Sequence, residues 1–92
     1  MQFVYPAQLF AAAPDEVVVS FRDLPECLTS GSDTSEALAE AADALEEALA
    51  GRIEDGEPIP APSRAEPGEY RVPVPPGMAV KVAVAIASRR AV

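Results

Sequence analysis

The chain has 92 residues, a formal net charge of −8, one cysteine and no histidine. This length corresponds to one small domain, and a lone Cys27 excludes an internal disulfide and a CxxC metal site. Without histidine the commonest general base and the commonest zinc ligand are missing, so we expect no metal and no cofactor.

The sequence also lacks the features of a membrane or secreted protein. No apolar run approaches the roughly 20 residues of a membrane span. The N-terminus has no charged segment followed by an apolar one, as a signal peptide would. We therefore expect a cytoplasmic protein that does not associate with a membrane.

The charges are distributed unevenly along the chain. Residues 1–69 contain all 15 acidic side chains and three arginines, whereas residues 70–92 contain four basic side chains and no acidic one. An acidic body with a basic end predicts two surfaces for two kinds of partner. The acidic body should repel the phosphates of nucleic acids.

The first third of the chain predicts strands. Apolar residues alternate through residues 3–10, as in a strand with one buried face. Pro6 has no N–H for a strand ladder, so that side of it must face an edge or a bulge. Residues 17–21 form a second strand after a short turn, which implies an antiparallel hairpin. Residues 28–30 form a short third strand, and Gly31 allows a tight entry into the next element.

The longest periodic segment is residues 33–53, DTSEALAEAADALEEALAGRI. Its apolar residues recur at spacings of three and four, which predicts an amphipathic α-helix. Asp33 and Glu36 form a capping box at its start. Gly51 and Gly56 predict its end.

Four acidic residues line the polar face of this predicted helix: Glu36, Glu40, Asp43 and Glu47. Like charges at these spacings repel by about 0.2–0.5 kcal/mol per pair. Such a stripe is either a solvated face that keeps a small protein soluble or a surface that meets a basic partner. The helix alone does not decide between these two interpretations.

The remaining segments are a strap, a strand and a tail. Residues 56–63 are rich in proline and predict an extended strap over the surface. Residues 70–74 form a fourth strand. The tail over residues 78–92 alternates Ala and Val as a strand would, but a preceding proline and a final Arg89-Arg90 pair favour a helix.

These elements predict an α+β fold, β-β-β-α-β, with one amphipathic helix on the sheet and a C-terminal helix. The order is that of a partial ribonuclease-H core. Two-metal phosphoryl chemistry needs carboxylates on neighbouring strands, but the first strand has none. Cys27 has no histidine to activate it, so we interpret it as a small, half-buried thiol. Catalysis is not expected.

Four short motifs carry a family resemblance. The first strand opens with Y-P-A at residues 5–7, and F-R-D-L-P-E at residues 21–26 stands where a family has an F-P-D-L-P-G-like motif. T-S-G-S-D-T at residues 29–34 precedes an E-A helix start, and G-E-P-I-P-A-P-S fills residues 56–63. In this order the motifs resemble HicB-type antitoxins of bacterial toxin–antitoxin pairs. Arg22 and Glu26 depart from the family pattern.

The resemblance implies a partial ribonuclease-H-like fold without activity, over residues 1–75. It also implies a partner, HicA, a small basic mRNA-cleaving toxin whose active site the antitoxin covers. The loop at residues 23–26 combines a rigid proline, a leucine expected to be exposed, and two acids. With the acidic stripe it forms our candidate toxin-binding set: Asp23, Leu24, Pro25, Glu26, Glu36, Glu40, Asp43 and Glu47.

The basic C-terminus suggests an alternative function. Many members of the family carry a C-terminal DNA-binding domain that represses their own operon. Lys81, Arg89 and Arg90 are the candidate nucleic-acid contacts in this chain. With so few charges and no recognition helix, we expect operator binding to be weak.

The tail also predicts self-association. On a helix, Met78, Val82, Ala85 and Ile86 form an apolar stripe, and the main helix already covers one face of the sheet. An uncovered stripe is rarely left in water, so residues 76–92 are expected to be a connector that holds a homodimer or a dimer of dimers. The alternative is that the tail folds back onto its own domain.

Overall fold

The computed structural model describes residues 3–90, with the backbone alone for Arg89 and Arg90. Along these residues the predicted α+β class is confirmed, with β-β-β-α-β order, one helix on the sheet and a C-terminal helix. The six elements are β1 Val4–Ala13, β2 Glu16–Ser20, β3 Leu28–Gly31, α1 Thr34–Asp55, β4 Tyr70–Pro73 and α2 Pro76–Arg90.

The strands form one antiparallel sheet in the order β3-β2-β1-β4. The two halves of β1 have different partners: residues 4–7 pair with β4, and residues 8–13 pair with β2. The N–H of Val74 donates to the carbonyl of Phe3 at 2.8 Å. Because pairing alternates along antiparallel strands, the nitrogen of Pro6 faces away from β4. Pro6 therefore removes no bond from the β1–β4 ladder, as expected.

The strand boundaries differ from the prediction, most of them by one residue. β1 continues to Ala13, where it still pairs with Glu16, so the hairpin turn is only the two residues between them. β2 ends at Ser20, one residue before Phe21. The Phe21 side chain remains in the core, with 2% of its surface exposed. Side chains alternate between the two faces of a strand, so Phe21 still points to the same face as Val19.

The sheet has one buried and one open face. Alternation and the observed register place Leu28 and Phe10 on the face opposite α1, where 65% and 68% of their surfaces are exposed. The other face packs against α1. The core between them consists of Tyr5, Ala7, Val19 and Val72 from the strands and Ala37, Ala41, Leu45 and Leu49 from the helix.

The ends of α1 are capped largely as the sequence predicts. Asp33 accepts a hydrogen bond from the N–H of Glu36 at 2.8 Å, and the Glu36 carboxylate accepts one from the N–H of Ser32 at 2.9 Å. Gly51 lies inside the helix. Gly56 ends it with a left-handed φ of 70°, which lets its N–H reach the last carbonyls of α1.

The tail is helical, but its predicted stripe is not exposed. Met78 and Val82 are buried within their own chain, together with Ala79, and Ile86 packs against the same core. The expectation that this stripe has no room inside its own domain is wrong. It assumed that α1 fills the whole sheet face, whereas α2 follows β4 directly and packs beside the C-terminal end of α1.

Replacing two glycines of this fold by alanine should change the free energy of unfolding in opposite directions. A Cβ on Gly31 would lie 2.7 Å from the Cα of Ala37, because β3 passes directly beneath the first turn of α1. We expect Gly31→Ala to lower the free energy of unfolding by about 1–3 kcal/mol. A Cβ on Gly51 would meet nothing within 4 Å, so Gly51→Ala should raise it by about 0.5–1 kcal/mol.

Urea unfolding of both variants beside the parent measures these changes. A Gly31→Ala variant as stable as the parent would contradict the close approach of β3 and α1.

Candidate functional site

The loop after β2 is folded onto the strap. The Asp23 carboxylate accepts hydrogen bonds from the Ser63 N–H at 2.7 Å and from the Ser63 hydroxyl at 2.5 Å. Within the loop, Leu24 N–H donates to Phe21 and Cys27 N–H donates to Leu24. These bonds turn the loop tightly, so that Leu24 faces inward.

Arg52, near the end of α1, joins three segments. Its guanidinium donates to both oxygens of Glu26, at 2.6 and 3.0 Å, and to the carbonyl of Pro58 at 2.9 Å. The hydrogen bonds from Arg52 lower the pKa of Glu26. Tyr5, on β1, donates its hydroxyl to the carbonyl of Pro60 at 2.8 Å, and burial raises the pKa of Tyr5 to about 12. The strap is thus held from a helix, a strand and a loop.

A second arginine, Arg22, holds the segment that follows the strap. Arg22 donates to both oxygens of Glu69, at 2.9 and 3.0 Å, and to the carbonyl of Arg64 at 2.7 Å. The bonds from Arg22 hold the pKa of Glu69 down to about 2. Arg22 stands where the family motif has a rigid proline. In this chain the position forms an ion pair with Glu69 instead.

Most of the predicted loop contacts therefore have internal roles. Leu24 was expected to be exposed, and this is wrong: it is completely buried in the core, because the turn points it inward. Asp23 is half-buried on Ser63, and Glu26 is paired with Arg52. Pro25 is exposed and, unlike Asp23 and Glu26, makes no hydrogen bond or ion pair with another segment.

The acidic stripe on α1 is divided. The Glu36 carboxylate is engaged in the helix cap. Glu40, Asp43 and Glu47 are exposed, and no hydrogen bond or ion pair engages them within residues 3–90. These three side chains carry negative charge that the described fold leaves uncompensated.

The stripe meets the loop beside β3. Glu47, Ala44 and Ala48 of α1 share a shallow depression of about 320 Å³ with Glu26 and Leu28. Leu28 is not among the residues predicted from the sequence. Its exposure could have been found from alternation, since Thr29 and Gly31 face the helix and Leu28 must then face outward. Leu28 therefore lies at the edge of the sheet, where it lines the same depression as Glu26 and Glu47.

Cys27 lies at the floor of this depression and is buried. Burial, with a smaller effect of the nearby Glu26, raises the pKa of its thiol to about 11. A thiol that stays protonated at neutral pH is a poor nucleophile. Cys27 is more deeply buried than the half-buried thiol expected from the sequence.

The sequence profile of the family described as "HicB_like antitoxin of bacterial toxin-antitoxin system" matches residues 4–83 of this chain. The chain belongs to the HicB-like antitoxin family. The matched span contains the sheet, the loop, α1, the strap and the first half of α2, so the resemblance seen in the motifs is confirmed.

Several HicB antitoxins are similar to this chain. "Antitoxin HicB" of Escherichia coli (strain K12) is 41% identical over 78 residues, which is 85% of this chain and 56% of that protein. "Antitoxin HicB 1" of Photorhabdus laumondii is 42% identical over 78 residues, covering 85% of this chain and 49% of its own length. The chain spans about half the length of the curated relatives it matches.

Other features of this HicB-like chain concern metals, membranes and the basic tail. Residues 3–90 contain no cluster of three metal-ligating His, Cys, Asp or Glu side chains. Neither described helix is long and apolar enough to cross a membrane. Lys81 is exposed on α2, whereas the side chains of Arg89 and Arg90 lie outside the described residues.

The bond between Asp23 and Ser63 predicts a large stability effect. Asp23→Ala leaves the half-buried Ser63 N–H and hydroxyl without their acceptor, so we expect a loss of about 2–3 kcal/mol in the free energy of unfolding. Ser63→Ala removes only the hydroxyl donor and should cost about 1 kcal/mol. Asp15→Ala, at an exposed turn, is the control and should change stability by less than about 0.5 kcal/mol.

Urea unfolding distinguishes these three variants. Equal stabilities for Asp23→Ala and Asp15→Ala would show that the loop does not depend on the strap.

The pair between Arg22 and Glu69 predicts a pH dependence. The Glu69 pKa is lowered from 4.5 to about 2 by folding, so the unfolded chain binds the proton more readily. The stabilisation is fully present above about pH 5 and is lost as the pH falls from about 4.5 towards 2. Glu69→Gln should therefore lower the melting temperature at pH 7 and match the parent near pH 2. Circular dichroism melts at several pH values measure this, and a difference that is constant with pH would contradict it.

Proposed function

We propose that this chain is an antitoxin that acts by binding and occluding a HicA-type mRNA-cleaving toxin in the cytoplasm. Membership of the HicB-like antitoxin family is the observation that carries this proposal. The family name supplies the class of activity, and the surface of the chain suggests how the partner is recognised.

The proposed toxin-binding surface is the outer face of α1 together with Leu28. Glu40, Asp43 and Glu47 offer negative charge without internal partners, which suits a basic ribonuclease and steers its approach. Leu28 is 65% exposed at the start of the edge strand β3 and lines the same depression as Glu26 and Glu47, so it is suited to act as an apolar anchor. Charge thus favours encounter, and the leucine favours a long-lived complex.

The other predicted contacts act indirectly in this proposal. Asp23 and Glu26 hold the loop that carries Leu28 at its end, through Ser63 and Arg52. Leu24 packs beneath that loop. Pro25 is exposed at the turn and belongs to the contact surface.

Inhibition in this proposal needs no catalysis by the antitoxin. Cys27, the one thiol, is buried with its pKa raised to about 11. β1 carries no carboxylate with which a neighbouring strand could share a metal. Inhibition by occlusion requires only a stable complex.

A charge-reversal pair tests the surface. Glu40→Lys with Asp43→Lys should lower the association rate with a HicA-type toxin about ten-fold at ~0.01 M salt, and much less near 1 M, because salt screens exposed charges. Asp15→Lys with Glu16→Lys changes the net charge equally at the turn between β1 and β2, outside the proposed surface. This control should slow association less than the helix pair does.

Stopped-flow or biosensor kinetics supply the rates, and co-expression with the toxin in a growth assay supplies the biological readout. Failure of the parent chain to bind the toxin or restore growth would refute the antitoxin proposal. Equal slowing by both charge reversals would refute only the proposed surface.

A further inference from the structure

The two edges of the sheet differ in how they are protected against a further strand. β3 and β4 are the outer strands. An edge strand exposes backbone N–H and C=O groups that can pair with another chain, and proteins commonly block such an edge with a proline or a charged residue. In this sheet the edge formed by β4 has that protection, and the edge formed by β3 does not.

The backbone directions on β4 follow from one observed bond. The N–H of Val74 donates to the carbonyl of Phe3 at 2.8 Å, so every second residue back along β4 also bonds to β1. The residues between them, Arg71 and Pro73, direct their backbone groups away from the sheet. Pro73 has no N–H, and Arg71 carries a charge. Both features discourage a further strand at this edge.

The backbone groups of β3 have the opposite character. The alternation continues through β1 and β2 in the observed register, so Thr29 and Gly31 are the residues of β3 that bond to β2. Leu28 and Ser30 direct their N–H and C=O groups outward, and no other described segment bonds to those groups. Both residues are exposed, and neither is charged or a proline. The edge of β3 therefore offers backbone donors and acceptors to a further strand.

A strand added to β3 would meet different surroundings on its two faces. On the open face of the sheet it would lie beside Leu28, which is 65% exposed. On the face towards α1 it would lie beside the shallow depression, where Ala44 and Ala48 are small and Glu47 carries negative charge. The edge therefore suits an extended segment with an apolar side chain on one face and a basic side chain on the other.

We propose that the toxin donates such a segment, which pairs with Leu28 and Ser30 as a fifth strand of the sheet. The inference rests on the proposed antitoxin function and adds the way in which the partner is held. Backbone hydrogen bonds supply affinity in strand addition, and the alternating side chains supply specificity. Here Leu28 and Glu47 are the residues that select the incoming side chains.

Other occupants fit this edge less well. A second copy of the chain, paired through its own β3, would bring the two Glu47 side chains towards the same contact, and each chain has a net charge of −8. Like charges disfavour that pairing. Nucleic acid has no strand to add, and the acids of α1 repel its phosphates. A basic protein partner satisfies both the backbone groups and the charge.

Amide hydrogen exchange, followed by NMR on the labelled 92-residue chain, tests the proposal. The N–H groups of Leu28 and Ser30 should exchange freely in the free chain and at least about 100-fold more slowly in the complex with a HicA-type toxin. Those of Thr29 and Gly31 should be protected in both states, because they belong to the β2–β3 ladder. Arg71 is the matched control, since its outward N–H lies on the other edge and should stay unprotected.

A proline substitution gives a second test. Ser30→Pro removes the outward N–H and places a ring in the path of the added strand, whereas the β2–β3 ladder does not use that N–H. Edge strands tolerate proline at such positions. We expect Ser30→Pro to raise the Kd for the toxin at least about 10-fold. Ser30→Ala keeps the N–H and should bind within about two-fold of the parent, and urea unfolding of both variants checks that the fold is retained.

The outcomes separate this inference from the antitoxin proposal. A parent chain that does not bind the toxin refutes the proposed function itself. Toxin binding that leaves the Leu28 and Ser30 amides unprotected, or protects Arg71 equally, overturns strand addition at β3 and leaves the antitoxin function standing. Parental affinity in a folded Ser30→Pro variant does the same. Protection of Leu28 and Ser30 that grows with concentration in the free chain would assign the edge to a second copy instead.

Discussion

The two hydrogen bonds from Ser63 to the carboxylate of Asp23 join the strap to the loop after β2. Pro58, Pro60 and Pro62 have no N–H, so this stretch of chain cannot form a strand or helix of its own. Side chains elsewhere must hold it through its carbonyls and through the N–H of Ser63. Tyr5 and Arg52 donate to carbonyls of the strap, and Arg22 donates to the carbonyl of Arg64 directly after it.

This arrangement determines which acids remain on the surface. Holding the strap engages Asp23 directly and Glu26 through Arg52, so the charges of both loop acids have partners within the molecule. The helix acids have no such task. Negative charge is therefore concentrated on α1, where Glu40, Asp43 and Glu47 stand clear of any internal cation. Among the described residues, the unpaired negative charge thus lies on the helix and not on the loop.

The two helices divide the surface between different tasks. α1 covers the sheet with one face and presents acids on the other. α2 completes the core with Met78 and Val82 and leaves Val80 and Val84 outside. The acidic face of α1 and the two exposed valines of α2 are therefore separate parts of the surface.

Local patterns in the sequence determined much of this protein. Period-two and period-3.6 alternation identified the strands and α1, and Asp33 with Glu36 located the start of the helix, since these signals depend only on neighbouring residues. The motifs identified the family. The fate of Leu24 and of the α2 stripe was decided by tertiary structure. Both are apolar side chains beside polar ones, and whether such a residue is covered depends on how the chain is packed in three dimensions. The turn after β2 directs Leu24 into the core, and α2 packs beside the end of α1, which covers the stripe.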